Sequence, residues 1–373
     1  MTSLVWTSTR AAAEALDRAD ELAPLRSRYG LPATRIRLDG SSGPRTRSTP
    51  AKLREFVEHR WDHRAGTDGG RRKQARLAAA SIAPLIGALP SEVAVAESAS
   101  MNLFSALLRA AGMRPGRPVL AVGKFCFATD HYLARSAADI AGCELRLFDE
   151  LHDLPELLDE RVAVLALSHV DPESGAVRDA TAITELAHRH GALTLWDLSH
   201  SAGAMLIDLG SWGADFAIGC GHRYLGGGSG APGFSYLARD RHEEAAGADA
   251  FPGAPSTLAL SELRSGLSAL TGAAPAALEA KAAGLAEFFL RCLADAPGAD
   301  PVPIPEGLRR GPHVCVRHRH AHQVAQALLG RGVVVDVPEP GTLRFGFAPL
   351  WLRYVDVREA AARFRDVLQD LST

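Results

Sequence analysis

Short apolar runs of strand length alternate with helical patterns through the first two thirds of the chain. The apolar runs lie at residues 92–97, 118–122, 161–170, 193–196, 215–219 and 235–239. Patterns with helical spacing lie between some of them, at 76–89, 98–112 and 181–192. Alternation of this kind predicts a mostly parallel sheet covered by helices.

The two ends of the chain have other patterns. Residues 9–28 have helical spacing that Pro32 ends, a second helix is predicted to open near Ser48, and the polar stretch 62–75 reads as a loop. A long helix at 273–295 precedes short apolar strands. These patterns predict three parts: an N-terminal segment, 1–50, that packs with the small domain; a large α/β domain, 51–255; and a small C-terminal domain, 256–373.

Polar residues follow two of the central apolar runs. Asp197 and His200 come after the run 193–196, and His222 and Arg223 come after the run 215–219. In an open α/β sheet, ligands bind outside the carboxyl ends of the strands. We therefore expect these four side chains to lie around one crevice.

Composition narrows the class of protein. Hydrophobic residues make up 47% of the 373 residues and the net charge is −2, so a globular enzyme or binding protein is indicated, with no nucleic acid or membrane partner. The five cysteines are scattered and odd in number, which argues against a disulfide framework or a zinc site. Because the first 25 residues carry acids and no apolar core, we expect a cytoplasmic protein.

Two motifs carry a family resemblance. WDLSHSAG (196–203) and GCGHRYLGGGSGAPGF (219–234) resemble the core of kynureninases, which are pyridoxal-phosphate enzymes of fold type I in the class V aminotransferase group. The resemblance implies a large domain with a mostly parallel seven-stranded sheet and a small C-terminal α+β domain. It also implies a homodimer, a small aromatic amino-acid-like substrate, and an Asp197 that pairs with the cofactor's pyridinium nitrogen.

The second motif departs from the family at a decisive place. Kynureninases have Tyr-Lys-Tyr-Leu there, and the lysine forms the internal aldimine, whereas this chain has His222-Arg223. A guanidinium stays protonated and has no amine lone pair for a Schiff base. We therefore predict no covalent cofactor link at residue 223.

Further matches imply other site residues. Ser98 and Ser100 match a phosphate-binding motif at a predicted helix start, although ordinary capping explains one serine equally well. Phe127 and Asp130 match a motif whose phenylalanine stacks on the cofactor, the alternative being a core phenylalanine. With Asp197 and His200 these residues form the predicted cofactor-binding set.

Arg344 is the predicted substrate-binding residue. It lies in LRFGFAPL (343–350), which resembles the family segment whose arginine binds the substrate's α-carboxylate, and a guanidinium suits that task. The alternative is a structural ion pair. The histidines at 318, 320 and 322 lack a neighbouring cysteine or acid cluster, so no metal site is predicted.

Three functional hypotheses remain open on the sequence alone. The first is an atypical kynureninase-family enzyme for a kynurenine-like or other aromatic amino acid, working by C–C hydrolysis, lyase or acid–base chemistry. It would hold pyridoxal or pyridoxamine phosphate non-covalently, with His222, Arg223 and His200 as catalytic residues and His222 as proton shuttle. The second is a cofactor-free enzyme that reuses the crevice. The third is a non-catalytic binding protein, which a closed Arg223–Asp197 ion pair would favour.

Overall fold

The structure is a computed structural model of the chain. It describes residues 8–32, 34–40, 43–59, 61, 68–123, 128–149, 151–244, 255–294, 296–339 and 341–371. Within these ranges the helices are α1 Arg10–Ala19, α2 Thr49–His59, α3 Asp68–Ile82, α4 Ala99–Met113, α5 Ala128–Ala141, α6 Leu154–Leu157, α7 Ala180–Arg189, α8 Leu209–Trp212, α9 Thr257–Leu270, α10 Pro275–Leu293, α11 Ala321–Gly330 and α12 Tyr354–Asp370.

The strands of the described residues fall into one large sheet and three smaller ones. Their bounds are β1 Ile36–Arg37, β2 Val93–Ala96, β3 Val119–Gly123, β4 Glu144–Phe148, β5 Val162–Ser168, β6 Ala176–Val177, β7 Leu193–Asp197, β8 Phe216–Cys220, β9 Gly233–Leu237, β10 Asp300–Pro301, β11 Arg309–Arg310, β12 His313–Arg317, β13 Val333–Val334, β14 Asp336–Glu339 and β15 Thr342–Gly346.

The large sheet has seven strands in the order β2-β9-β8-β7-β5-β3-β4. The pairs from β8 to β4 are parallel, and β9 runs antiparallel to both β8 and β2. Strands β5, β7 and β8 are buried along their whole length because helices cover both faces, which explains their nearly continuous apolar sequences. The predicted mostly parallel seven-stranded sheet is confirmed.

The C-terminal part of the chain forms a smaller antiparallel sheet, β10-β12-β15-β14, with helices α10, α11 and α12. Strand β12 pairs with β15 so that Cys315 lies opposite Arg344. The N-terminal segment contacts this part: α1 packs against α12, and β1 pairs in parallel with β13. The division at residues 50 and 255 stays a prediction.

Carboxylates of α1 and its C-cap join it to two C-terminal helices. Asp17 accepts hydrogen bonds from Tyr354 N, at 2.7 Å, and Val355 N, at 3.1 Å, which belong to the first turn of α12. Asp20, the C-cap of α1, pairs with Lys281 of α10 at 2.6 Å, and both side chains are at most 6% exposed. This buried ion pair thus joins two residues that lie 261 positions apart in the chain.

Two of the predicted elements differ from the structure. The pattern at 9–28 is split into α1 and a 3₁₀ turn, Ala23–Arg28, because Pro24 cannot continue an α-helix. The predicted loop 62–75 is wrong from residue 68 onward, where α3 begins. Tertiary contact explains this start, since α3 packs against α9 and Arg264 of α9 donates a hydrogen bond to Gln74.

Candidate functional site

Asp197 is the last residue of β7 and lies where the carboxyl ends of β5, β7 and β8 meet. Its Oδ1 accepts a hydrogen bond from Ser199 N at 2.8 Å, and Ser168 Oγ lies 3.5 Å from Oδ2. Burial raises the pKa of the Asp197 carboxyl, and Ser199, Arg223 and Ser168 oppose the rise only in part. A cation beside this carboxyl would therefore be strongly stabilised.

The start of α4 faces the same region. Ser98 is the N-cap residue, and its side chain accepts a hydrogen bond from Met101 N at 3.1 Å. Ser100 in the first turn donates its hydroxyl proton to Asp130 Oδ1 at 3.0 Å. Asp130 is a first-turn residue of α5 and is 7% exposed. Capping, the alternative considered for the serines, is thus one role that Ser98 has.

A cavity of about 250 Å³ lies between these elements. It is lined by Glu97, Ser98, Ala99, Ser100, Asp130, Asp197, Ser199, Ile218, Cys220, His222, Gly230 and Ala231. Five of the residues singled out in the sequence are therefore brought together at one cavity: Ser98, Ser100, Asp130, Asp197 and His222.

Arg223 and His200 are buried beside this cavity, each 2% exposed. Burial, and after it the positive charge of Arg223, lower the pKa of His222 to about 4. The pKa of His200 is also far below its ordinary value, first because of burial and then because of Arg223 and Arg344. Both imidazoles are therefore neutral at neutral pH, and His222 can accept a proton in the cavity.

The C-terminal part supplies two more residues to this region. The rings of His313 and His200 are 5.1 Å apart between centroids. Tyr224 Oη donates a hydrogen bond to Pro312 O at 3.2 Å, which holds the start of β12 against the segment that carries Arg223. Arg344 is 2% exposed and donates through Nη2 to Asp336 Oδ2 on the neighbouring strand β14.

The remaining sequence expectations have mixed outcomes. Phe127 lies outside the described residues, so its predicted stacking role stays a prediction. His313 was missed; its signal is a single imidazole at the start of an otherwise apolar strand, HVCV. Across the described part of the chain, no group of three or more His, Cys, Asp or Glu side chains is placed to bind a metal ion. None of the helices described has the apolar length needed to span a bilayer.

Family models and curated proteins identify relatives of this chain. The class-V aminotransferase model matches residues 126–246, and the kynureninase C-terminal domain model matches residues 278–364. Kynureninase of Deinococcus radiodurans is 38% identical over 100% of this chain and 99% of its own length. Kynureninase of Burkholderia pseudomallei is 36% identical over 96% of this chain and 95% of its own length.

The chain belongs to the kynureninase family. Membership in this family confirms the resemblance predicted from the sequence. The 36–38% identity to the two kynureninases extends over both the large and the C-terminal parts of the chain. A kynureninase-like activity is accordingly the general functional assignment. The particular substrate and the role of each residue are matters for the proposal below.

Solved structures confirm the fold class expected for a kynureninase-family chain. Cysteine desulfurase CsdA from Escherichia coli superposes with a TM-score of 0.78, at 18% identity over 94% of this chain and 98% of that one. A C-DES mutant with glycine covalently linked to its PLP cofactor gives 0.77, at 15% identity over 91% of this chain and 99% of that one. The chain therefore has the fold type I aminotransferase-like architecture.

Proposed function

We propose that this kynureninase-family chain is an enzyme for a kynurenine-like or related aromatic amino acid, acting by C–C hydrolysis, lyase or acid–base chemistry. It holds pyridoxal phosphate or pyridoxamine phosphate without a covalent bond. The observation that carries the proposal is the buried Asp197 carboxyl at the wall of the cavity, combined with Arg223 where the family motif has its lysine.

The chemistry of the cavity fits a pyridinium ring with a phosphate tail. Burial raises the pKa of Asp197, and a cationic ring nitrogen beside this carboxyl would stabilise its ionised form. At the other wall, Ser98 and Ser100 lie at the start of α4, where helix N–H groups and the helix dipole favour a phosphate. When bound, the cofactor supplies an electron sink for bond cleavage next to the substrate's amino group.

The chain's own residues then have distinct tasks. His222 lines the cavity as a neutral imidazole and accepts or returns the substrate proton at a ring nitrogen. Arg223 supplies a fixed positive charge. This charge lowers the pKa values of His222 and His200, in addition to the larger effect of burial. His200 remains neutral against the ring of His313. The homodimer implied by the family stays a prediction.

One observation favours the alternative of a cofactor-free enzyme. Glu97 and Asp130 both line the cavity near the start of α4, and Asp130 already accepts the hydroxyl proton of Ser100. Two carboxylates near the proposed phosphate position repel an anion. In this alternative the carboxylates and His222 perform acid–base chemistry directly on the substrate.

Absorption titration of the purified protein with pyridoxal phosphate and with pyridoxamine phosphate distinguishes the cofactor-dependent enzyme from the cofactor-free alternative. We expect a saturable change in the cofactor spectrum that gel filtration removes and that borohydride does not fix to the protein. Asp197→Asn should lower the affinity tenfold or more, since a charge-assisted hydrogen bond contributes about 1.5–3 kcal/mol. Absence of binding by the wild type at millimolar cofactor would favour the cofactor-free alternative.

Arg344 is the proposed site for the substrate's carboxylate. Its guanidinium has five N–H donors, and Asp336 accepts from Nη2. Its positive charge reaches the crevice, because it lowers the pKa values of both His200 and His313. A carboxylate bound here would lie among the residues around the cavity, as the proposed amino-acid substrate requires.

Arg344→Ala should weaken the binding of kynurenine by about 1.5–3 kcal/mol, and Arg344→Lys should weaken it less because the charge remains without the planar fork. Calorimetric titration with kynurenine and with anthranilate measures this, at a temperature where circular dichroism shows each variant folded. The matched control is Asp336→Asn, which removes the ion pair and keeps the guanidinium. If Asp336→Asn and Arg344→Ala lose equal affinity, the ion pair is structural and the carboxylate role is wrong.

A further inference from the structure

His313 is a buried imidazole whose ring nitrogens make no hydrogen bond within the part of the chain that the structure describes. It is the first residue of β12 and is 1% exposed. Neither Nδ1 nor Nε2 has a hydrogen-bond partner among the residues that the structure describes. An unsatisfied buried polar group costs about 1–3 kcal/mol, and such groups are rare in folded proteins unless they serve catalysis or binding.

The ring of His313 is held in place by its neighbours. On one side lies the His200 ring, tilted by 51° at 5.1 Å. On another side lies Gly175, where an added Cβ would be 2.6 Å from His313 O and 3.4 Å from Nε2. Gly175 has φ +77°, so a side chain there is disfavoured by backbone conformation as well as by space. The imidazole thus occupies a fixed position between the two parts of the molecule.

The charges around His313 favour an anion. The pKa of His313 is lowered to about 3, first by burial and then by the charges of Arg344, Arg223 and Arg310, which Asp171 opposes. His200, the titratable group that packs on its ring, is neutral as well. A neutral imidazole has one N–H donor. Beside the Arg344 guanidinium, that donor is suited to a carboxylate oxygen.

We propose that His313 is a substrate-contacting residue, which donates its ring N–H to the carboxylate that Arg344 binds. The inference rests on the proposed function and deepens it, because it assigns the ligand class of this end of the site: an α-amino acid with a free carboxylate. Arg344 provides charge and His313 provides a second, directed hydrogen bond from a different strand. Recognition of the carboxylate then depends on the contact between the C-terminal part and the large sheet.

Calorimetric titration of variants tests this assignment with two ligands, kynurenine and the amine that remains when its carboxyl group is removed. His313→Phe keeps a ring against His200 and loses both nitrogens, so we expect about tenfold weaker binding of kynurenine and unchanged binding of the amine. His313→Gln keeps an N–H donor and should recover part of the loss. His320→Gln, an exposed histidine beyond the end of the same strand, is the matched control and should bind as the wild type does.

The wild type gives a second measurement that does not depend on a variant's folding. With ¹⁵N-labelled histidine, kynurenine should shift the signal of the His313 ring N–H downfield, because this donor gains a carboxylate acceptor, and the amine should not. The signals are assigned by their loss in His313→Gln.

Each outcome separates the two proposals. If His313→Phe loses equal affinity for both ligands, the role of His313 is structural. If it loses affinity for neither, the contact with the carboxylate is excluded. In both cases the proposed function stands. Failure of the wild type to bind kynurenine at millimolar concentration would overturn the proposed function and this inference together.

Discussion

Replacing Arg223 with lysine should give a protein that holds pyridoxal phosphate covalently and has a visible absorption band that the wild type lacks. The lysine amine would lie in the place of a buried guanidinium, close to Asp197 and His222. Burial lowers the pKa of such an amine and makes it nucleophilic. Borohydride should fix the cofactor to residue 223, as peptide mass spectrometry would show.

The control for this experiment is Arg223→Met, which has a long side chain and no amine. It should show no band that borohydride fixes to residue 223, while its non-covalent affinity for the cofactor reports whether the cavity is still intact. If Arg223→Lys gives no band at millimolar cofactor although circular dichroism shows it folded, the cavity does not accept the cofactor. The cofactor-free alternative would then be favoured.

Replacing Lys281 with methionine should destabilise the fold by about 3–5 kcal/mol, the cost of leaving one partner of a buried ion pair uncompensated. Asp20 would retain its carboxylate in a position where the side chain is 6% exposed. Denaturant unfolding followed by circular dichroism measures the loss. The binding of ligand at the cavity should be unchanged at low denaturant, because the pair joins α1 to α10 and does not line the cavity.

A pair on the same helix provides the control. Arg291 and Glu287 form an i,i+4 ion pair whose side chains are 42% and 54% exposed, so Arg291→Met should cost less than about 1 kcal/mol. The double variant Asp20→Asn with Lys281→Met should recover most of the stability, since no buried charge remains. Equal destabilisation by Lys281→Met and Arg291→Met would show that burial of the charge pair has no energetic weight.

Much of the fold was predictable because its signals are local. The run 162–167 is apolar throughout, and β5 is buried along its whole length between helices that cover the sheet. The place of Asp197 at the carboxyl edge of the sheet was predictable for the same reason, since it ends β7. The start of α3 at Asp68 was not predictable. Its Gly-rich first turn has little helix propensity, and contact with α9 stabilises the helix.

The contacts around the candidate site that the sequence did not predict are formed between different segments of the chain. His313 and His200 are separated by 113 positions, so no pattern in either segment reveals that their rings meet. The ion pair of Arg344 with Asp336 depends on the registry of two short antiparallel strands that has an irregularity between Asp336 and Glu339. The helix start at Ser98 and Ser100 was predictable because its signal is local.

The contacts of α1 also have a consequence for how the protein is made. This helix leaves the ribosome long before its partner α12, which begins at Tyr354. Domains generally fold from the N-terminus during synthesis at about 5–20 residues per second. The large sheet can therefore form while Asp17 and Asp20 still lack their partners, and docking of α1 becomes a closing step that requires the completed C-terminal helices. Release of a chain that ends before α12 would leave exposed the face of α1 that packs against α12 in the complete fold.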